Sequence, residues 1–219
     1  MIVFRRFLVA FPLLRRQRRY AANVSKCWKC GDDLDSGALF FCGCARNVVL
    51  PSSKRDFFSI FEIRPQSMNI DEKMLARKFR ELQSKLHPDK FAQKSKTEQQ
   101  YSLQQSSLVN EGYKTLLNRL SRGFYLLEMR GFTVPDDDHV MEKEFLSEVM
   151  EFNEQLEEIE NDDHLRETSQ LIEDKLTHCW VTSKENYERG NFKETHSWLT
   201  KMKYYVNLQQ TIKDRLRPS

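Results

Sequence analysis

The tripeptide His87-Pro88-Asp89 constrains this chain most, because it falls between two amphipathic segments where an antiparallel helical hairpin would turn. Upstream, Leu75, Phe79, Leu82 and Leu86 recur at spacings of four, three and four, on one face of a helix over about 71–86. Lys73, Arg77 and Arg80 take the other side. Downstream, Val109, Tyr113, Leu116 and Leu120 repeat the spacing and predict a helix over about 97–120 whose stripe can lie against the first. Pro88 lacks an N–H and pushes His87 out of helical geometry, so the first helix should end there and leave His87 and Asp89 exposed at the tip. Asp56-Phe57-Phe58-Ser59-Ile60-Phe61 supplies aromatic residues for a short third helix across the pair.

Charge adds chemistry to this outline. Asp89 is an anionic acceptor suited to an arginine on a partner, and Arg77, Lys78, Arg80 and Lys85 supply positive potential for steering onto an acidic surface. Taken alone, such charges also describe an ordinary solvated helix face. The tripeptide, the helix register and the aromatic opening together resemble the J-domain, as does Asn110-Glu111-Gly112-Tyr113-Lys114-Thr115-Leu116 in the second long helix. The resemblance implies that the loop and the basic helix dock on a DnaK-class heat-shock chaperone and accelerate the partner's ATP hydrolysis. His87, Pro88, Asp89, Arg77, Lys78, Arg80 and Lys85 are then the chaperone-binding candidates, and the chain itself is no enzyme and binds no nucleotide.

Residues 1–22 contain Arg5, Arg6, Arg15, Arg16, Arg18 and Arg19 with no acidic residue, interleaved with Phe4, Phe7, Leu8, Val9, Phe11, Leu13 and Leu14. This composition reads as a mitochondrial presequence leading to the matrix, with a basic nucleic-acid arm as the competing possibility. Residues 23–53 hold Cys27-Trp28-Lys29-Cys30 and Cys42-Gly43-Cys44. Four thiolates from two loops can close a tetrahedral structural Zn²⁺ site, which would compensate for the small core of so short a segment. The second arm is C-x-C, a tighter ring, and Gly43 is expected to permit the backbone geometry it needs. A redox dithiol and a reduced flexible tail stay open as alternatives; no βαβ pattern surrounds Cys27 to support a thioredoxin-like site.

A J-domain over 54–131 is followed by a linker at 132–139, where Val134-Pro135-Asp136-Asp137-Asp138 breaks helix, and by a bundle over 140–219. Phe145, Val149, Phe152, Leu156 and Ile159 form one stripe, and Leu165, Thr168, Ile172, Leu176 and Cys179 form the next. Gly190-Asn191 breaks the run before Trp198, Met202, Tyr205, Gln209, Ile212 and Leu216. Three such stripes predict a three-helix bundle, and the fold class is all-α. Beside the first stripe, Leu146 and Met150 adjoin the acidic Glu151, Glu154 and Glu158, a strip that could hold a basic client or simply face solvent.

From the cysteine knuckle to the last helix, the chain resembles the HscB family of mitochondrial and bacterial iron–sulfur cluster co-chaperones. The marks are the short J-domain, the connecting Leu120-Ser121-Arg122-Gly123-Phe124-Tyr125-Leu126-Leu127 stretch and Phe145-Leu146 in the bundle, with a knuckle like that of animal members. The resemblance implies that the bundle binds the cluster scaffold IscU through Leu146, Met150, Glu151, Glu154, Glu158 and Tyr204 and presents it to a mitochondrial DnaK-class chaperone. Ser147 stands where bacterial members carry an apolar residue.

The remaining bounds agree. A chain of 219 residues with a formal net charge of +3 suits two small domains and argues against a dedicated nucleic-acid binder. No segment is long and apolar enough to cross a membrane. A zinc or dithiol enzyme would need a base near the cysteines, yet none of the five histidines lies between Cys27 and Cys44. A general protein-folding J-protein is the nearer alternative, but the Gly/Phe-rich linker and β-rich client domain usual in that class are not visible.

Overall fold

The three helices of the first unit each begin where a short polar side chain stands in for a missing backbone acceptor. In the computed structural model, which describes residues 26–34, 38–44, 48–51, 56–64, 66–133 and 141–216, Asp56 caps α1 (Phe57–Ile60) by accepting from the Ser59 N–H. Asp71 does the same for α2 (Glu72–Leu86), receiving the Met74 N–H at 3.0 Å. Ser95 caps α3 (Lys96–Leu117), its hydroxyl accepting from the Glu98 N–H and donating to the Glu98 carboxylate. The expected presequence at 1–22 and most of the expected linker lie outside the described residues.

The chain divides into two compact units, 1–118 and 119–219. In the first, α2 and α3 form the hairpin. Leu75, Leu86, Val109 and Leu116 are wholly buried between them, while Phe79 and Tyr113 stack with ring centroids 4.0 Å apart. Polar groups reinforce the seam. The Ser102 hydroxyl donates to the buried Leu86 carbonyl at 2.7 Å, and Gln83 and Ser106 exchange hydrogen bonds at 2.9 and 3.2 Å. α1 lies across α3 where Gly112 leaves no side chain, and a methyl group there would come within 2.8 Å of the Phe57 ring.

The expected helix to residue 120 stops at Asn118, whose ψ of 120° is extended. The apolar period runs through the break, because Leu116 on α3 and Leu120 on α4 (Arg119–Met129) keep a spacing of four. Periodicity therefore could not reveal the boundary, and Leu120 belongs to the next helix.

In the second unit, α5 (Lys143–Glu158), α6 (Asp162–Glu188) and α7 (Phe192–Arg215) form the expected three-helix bundle, with α4 also packed against α7. Phe145, Val149 and Leu156 face inward from α5, Leu165, Ile172, Leu176 and Cys179 from α6, and Met202, Tyr205 and Ile212 from α7. Leu199, Leu208 and Trp180 join this core outside the expected stripes. Trp180 carries the guanidinium groups of Arg122 and Arg119 over its ring at 5.4 and 6.0 Å, a cation–π pairing that ties α4 to α6. The architecture is all-helical, and the described residues contain no β-strand, only isolated bridges in the cysteine-rich segment.

Gly112 supports a prediction. Gly112→Ala overpacks the α1–α3 crossing and should cost about 1–3 kcal/mol, read as a lower denaturation midpoint; an unchanged midpoint would show that the Phe57 ring can move aside freely.

Candidate interaction sites and metal centre

Pro88 ends α2, and the chain continues into a single 3₁₀ turn, Pro88–Phe91. His87 caps this turn: its Nδ1 accepts from the Asp89 N–H at 3.4 Å and lies 3.4 Å from the Asp89 carboxylate. Both side chains stay exposed, at 55% and 88%, whereas Phe91 is buried and anchors the turn from below. The turn thus presents a carboxylate on a rigid base, and the imidazole shapes the loop that carries it.

Along α2 the four basic candidates are unequal. Arg80 and Lys85 are exposed, with no carboxylate at ion-pair distance among the described residues. Arg77 approaches Glu81 one turn along at 4.0 Å, and Lys78 is engaged by Glu62, which lies just beyond α1.

The cysteine-rich segment folds as two arms. In the first, the Cys27 N–H donates to the Asp32 carbonyl at 2.8 Å and Gly31 takes the left-handed φ of 77° that closes the turn. In the second, Cys42 and Leu50 pair with Val48 and Phe40 at 2.9 Å. Gly43, expected to need special geometry, has an ordinary φ and open space around it; the permissive residue is Gly31 in the other arm. Cys27, Cys42, Val48 and Leu50 make a small core, against which Leu34, Ala38 and Cys44 pack.

The Sγ atoms of Cys27, Cys30, Cys42 and Cys44 lie within 4.8 Å of one another, and those of Cys30 and Cys42 are 3.7 Å apart. Sulfurs bound tetrahedrally at about 2.3 Å stand about 3.8 Å from each other, so the four residues can hold a metal ion. The Cys27 and Cys42 sulfurs also accept backbone N–H groups, from Lys29 at 3.5 Å and Cys44 at 3.4 Å. The thiols respond to this crowding. Burial opposes ionisation of Cys27, but the Cys30 and Lys29 N–H groups and the neighbouring thiols outweigh it and lower its pKa. At Cys30 the Asp32 N–H favours the thiolate, yet desolvation, the Asp32 side chain and the adjacent sulfurs push the pKa up to about 12. Four thiolates this close need a cation between them.

The knuckle is seated on α3. Gln105 is buried and donates to the Leu50 carbonyl at 3.0 Å, Lys29 pairs with the buried Glu98 at 3.5 Å, and Trp28 meets Tyr101 edge-on at 5.7 Å. Glu98, Tyr101 and Gln105 were not foreseen as docking residues, although the Ser95-x-x-Glu98 capping pattern marks Glu98 as structurally placed.

On α5, Leu146, Met150, Glu154 and Glu158 follow one another at intervals of four and all are exposed, with Glu151 beside them. Exposure reaches 37% at Leu146 and 56% at Met150. Tyr204 is half-buried against Phe145, ring centroids 5.6 Å apart. Polar contacts that span the bundle hold the helix. Glu142 pairs with Lys201 at 2.8 Å, Glu148 accepts from Tyr205 at 3.1 Å and pairs with Lys175 at 2.7 Å, and Arg215 donates to the Leu156 and Ile159 carbonyls at the helix end. Burial first, and Glu148 second, raise the Tyr205 pKa. Sequence patterning did not expose these anchors.

The family model described as the HSCB C-terminal oligomerisation domain matches residues 141–213. The human iron–sulfur cluster co-chaperone protein HscB is 37% identical over 195 residues, covering 88% of this chain and 83% of the human protein. The chain belongs to the HscB family. The Arabidopsis thaliana HscB homolog is 30% identical, with 87% of this chain and 74% of the plant protein aligned. The crystal structure of human HscB superposes with a TM-score of 0.81 at 36% identity, covering 89% of this chain and all of the human one. HscB of Vibrio cholerae gives 0.67 at 25% identity, over 74% of this chain and all of that one.

For this HscB-family chain the four-sulfur site generates a prediction. Cys42→Ser should abolish metal binding by the four-sulfur site, and the α3 amides around Glu98–Gln105 should lose hydrogen-exchange protection as the knuckle lets go. Full protection without metal would mean that the knuckle seats on α3 independently of any ion.

Proposed function

We propose that the protein is a co-chaperone in iron–sulfur cluster biogenesis. It binds the cluster scaffold IscU through its C-terminal bundle, delivers it to a mitochondrial DnaK-class heat-shock chaperone, and stimulates that chaperone's ATPase through His87-Pro88-Asp89 to promote cluster transfer. The presequence-like residues 1–22 direct it to the mitochondrial matrix, and Cys27, Cys30, Cys42 and Cys44 hold a structural Zn²⁺.

The observation that carries this proposal is the pairing, in one chain, of an ordered His-Pro-Asp turn beside a basic helix with a separate bundle that exposes Leu146 and Met150 next to three glutamates. The names of the human, mouse and plant relatives support the cluster-assembly context. At the turn, Asp89 offers an acceptor to a cationic group of the chaperone, and the exposed Arg80 and Lys85 supply positive charge for steering. At the bundle, apolar anchors ringed by carboxylates suit a scaffold surface with an apolar patch among basic residues. Zinc, when bound, neutralises the thiolates and closes the knuckle; the chaperone alone hydrolyses ATP.

Single-turnover ATP hydrolysis by a mitochondrial DnaK-class chaperone, with and without scaffold, tests the first half. The wild-type protein should stimulate and scaffold should add to it, while His87→Gln should abolish stimulation at unchanged helicity. Stimulation retained by His87→Gln would refute the role of the turn. For the second half, Leu146→Ala with Met150→Ala should weaken scaffold binding by about tenfold or more and leave scaffold-free ATPase stimulation intact. Unchanged scaffold affinity would move the binding strip elsewhere.

A further inference from the structure

Three helices of this chain end in the same reverse turn. At the end of α4 the Phe132 N–H donates to the Leu127 carbonyl at 3.0 Å and the Gly131 N–H to that of Glu128 at 2.9 Å; at the end of α6 Asn191 donates to Asn186 at 2.9 Å and Gly190 to Tyr187 at 3.0 Å. At the end of α1 Ile63 donates to Phe58 at 2.8 Å and Glu62 to Ser59 at 3.2 Å. This pair of bonds requires a left-handed residue in the penultimate position, where glycine is the unstrained choice. Gly131 and Gly190 fill it with φ of 72° and 79°. After α1 the position is held by Glu62 at φ 55°, the one non-glycine residue with positive φ among those described.

A side chain kept in a disfavoured backbone conformation needs a reason, and the Glu62 carboxylate has a visible use. It reaches α2 and pairs with Lys78, with 66% of the Glu62 and 28% of the Lys78 side chain exposed. An ion pair as open to water as this adds little to stability, so folding does not account for choosing glutamate over glycine. What the pair does change is the charge of the basic face. Arg80 and Lys85 project with no carboxylate partner among the described residues, while Lys78 is already satisfied by a carboxylate from another element.

We propose that Glu62 is a resident counter-charge of the docking face, a specificity-determining residue that occupies Lys78 until an acidic group of the chaperone displaces it. The inference rests on α2 being the chaperone-docking surface. A partner must then exchange one carboxylate for another at Lys78, which returns nothing to a surface with sparse acidic groups and favours one dense enough to outcompete Glu62. It also keeps the complex weak enough to dissociate.

The test is the affinity of the full chain for a mitochondrial DnaK-class chaperone at two ionic strengths. Glu62→Gln removes the charge, and Glu62→Gly removes charge and strain together. Both should bind about three- to fivefold tighter at low salt, with the gain shrinking at high salt, and Glu62→Gly should also melt at a higher temperature. The gain should vanish in a Lys78→Ala background. Unchanged or weaker binding by Glu62→Gln, or a gain that survives Lys78→Ala, overturns the proposal. Arg80→Ala with Lys85→Ala separates the two levels. If that variant binds poorly while Glu62→Gln has no effect, only the counter-charge is refuted. If it binds normally, the docking face itself is wrong and the inference falls with it.

Discussion

The carbonyl of Leu86 is the group around which the first unit is organised. Pro88 prevents α2 from continuing, so the last carbonyls of the helix lose their intrahelical donors, and that of Leu86 is turned toward the hairpin interior rather than to water. An unsatisfied buried carbonyl would cost about 1–3 kcal/mol. Ser102 satisfies it from α3, and this fixes the register of the two helices at the tip. Gln83 and Ser106 repeat the arrangement one turn back. The exposed His87-Pro88-Asp89 turn therefore stands on a polar lock and the buried Phe91 ring, which allows a tip with few contacts of its own to keep one shape.

Helix α3 serves both sides of that unit. One face closes on α2 and α1, and Glu98, Tyr101 and Gln105 receive the cysteine knuckle. A segment whose buried core is little more than Cys27, Cys42, Val48 and Leu50 cannot order itself by apolar burial alone. It leans on the surface of α3, and its four sulfurs lie close enough together to hold an ion as a second constraint. The Gln105 amide is the clearest sign that seating is built in, because that side chain would be an orphaned polar group in the absence of the Leu50 carbonyl.

What could be read from the residues divides along physical lines. Proline acts through its own ring, so the end of α2 was legible, as were most of the inward stripes of α5 and α6 and Met202, Tyr205 and Ile212 of α7, which follow from helical periodicity, whereas Leu199 and Leu208 take the core places expected of Trp198 and Gln209. Four cysteines at short spacing pointed to a site that could hold a metal ion, and the structure brings their sulfurs within 4.8 Å of one another. Context hid the rest. Ser102, Ser106 and Gln105 look like surface residues until the hairpin buries them, and the break at Asn118 contains neither glycine nor proline. Gly43 looked special by composition, whereas the left-handed turn belongs to Gly31. The anchors of α5 were invisible for a further reason: Lys201 and Arg215 lie 59 residues from their partners Glu142 and Leu156, and no local pattern connects them.

Those anchors bear on how the second unit can present the proposed binding strip. An isolated helix of the length of α5 is marginal in water, and an exposed Leu146 and Met150 add nothing to its packing. The inward stripe holds it by burial, but burial leaves rotation about the helix axis weakly defined because apolar contacts lack direction. The polar contacts supply that direction. Lys201 grips the start, Glu148 is held in the middle by Tyr205 and Lys175, and Arg215 satisfies carbonyls at the end that no further turn of helix would reach. With the rotation set, the residues pointing away from the bundle are fixed as well, and Leu146, Met150, Glu154 and Glu158 line up toward solvent as a single surface. The cost of leaving two large apolar side chains in water is thus offset by a frame of contacts to α6 and α7, an arrangement that fits the proposed use of the outward face for a partner.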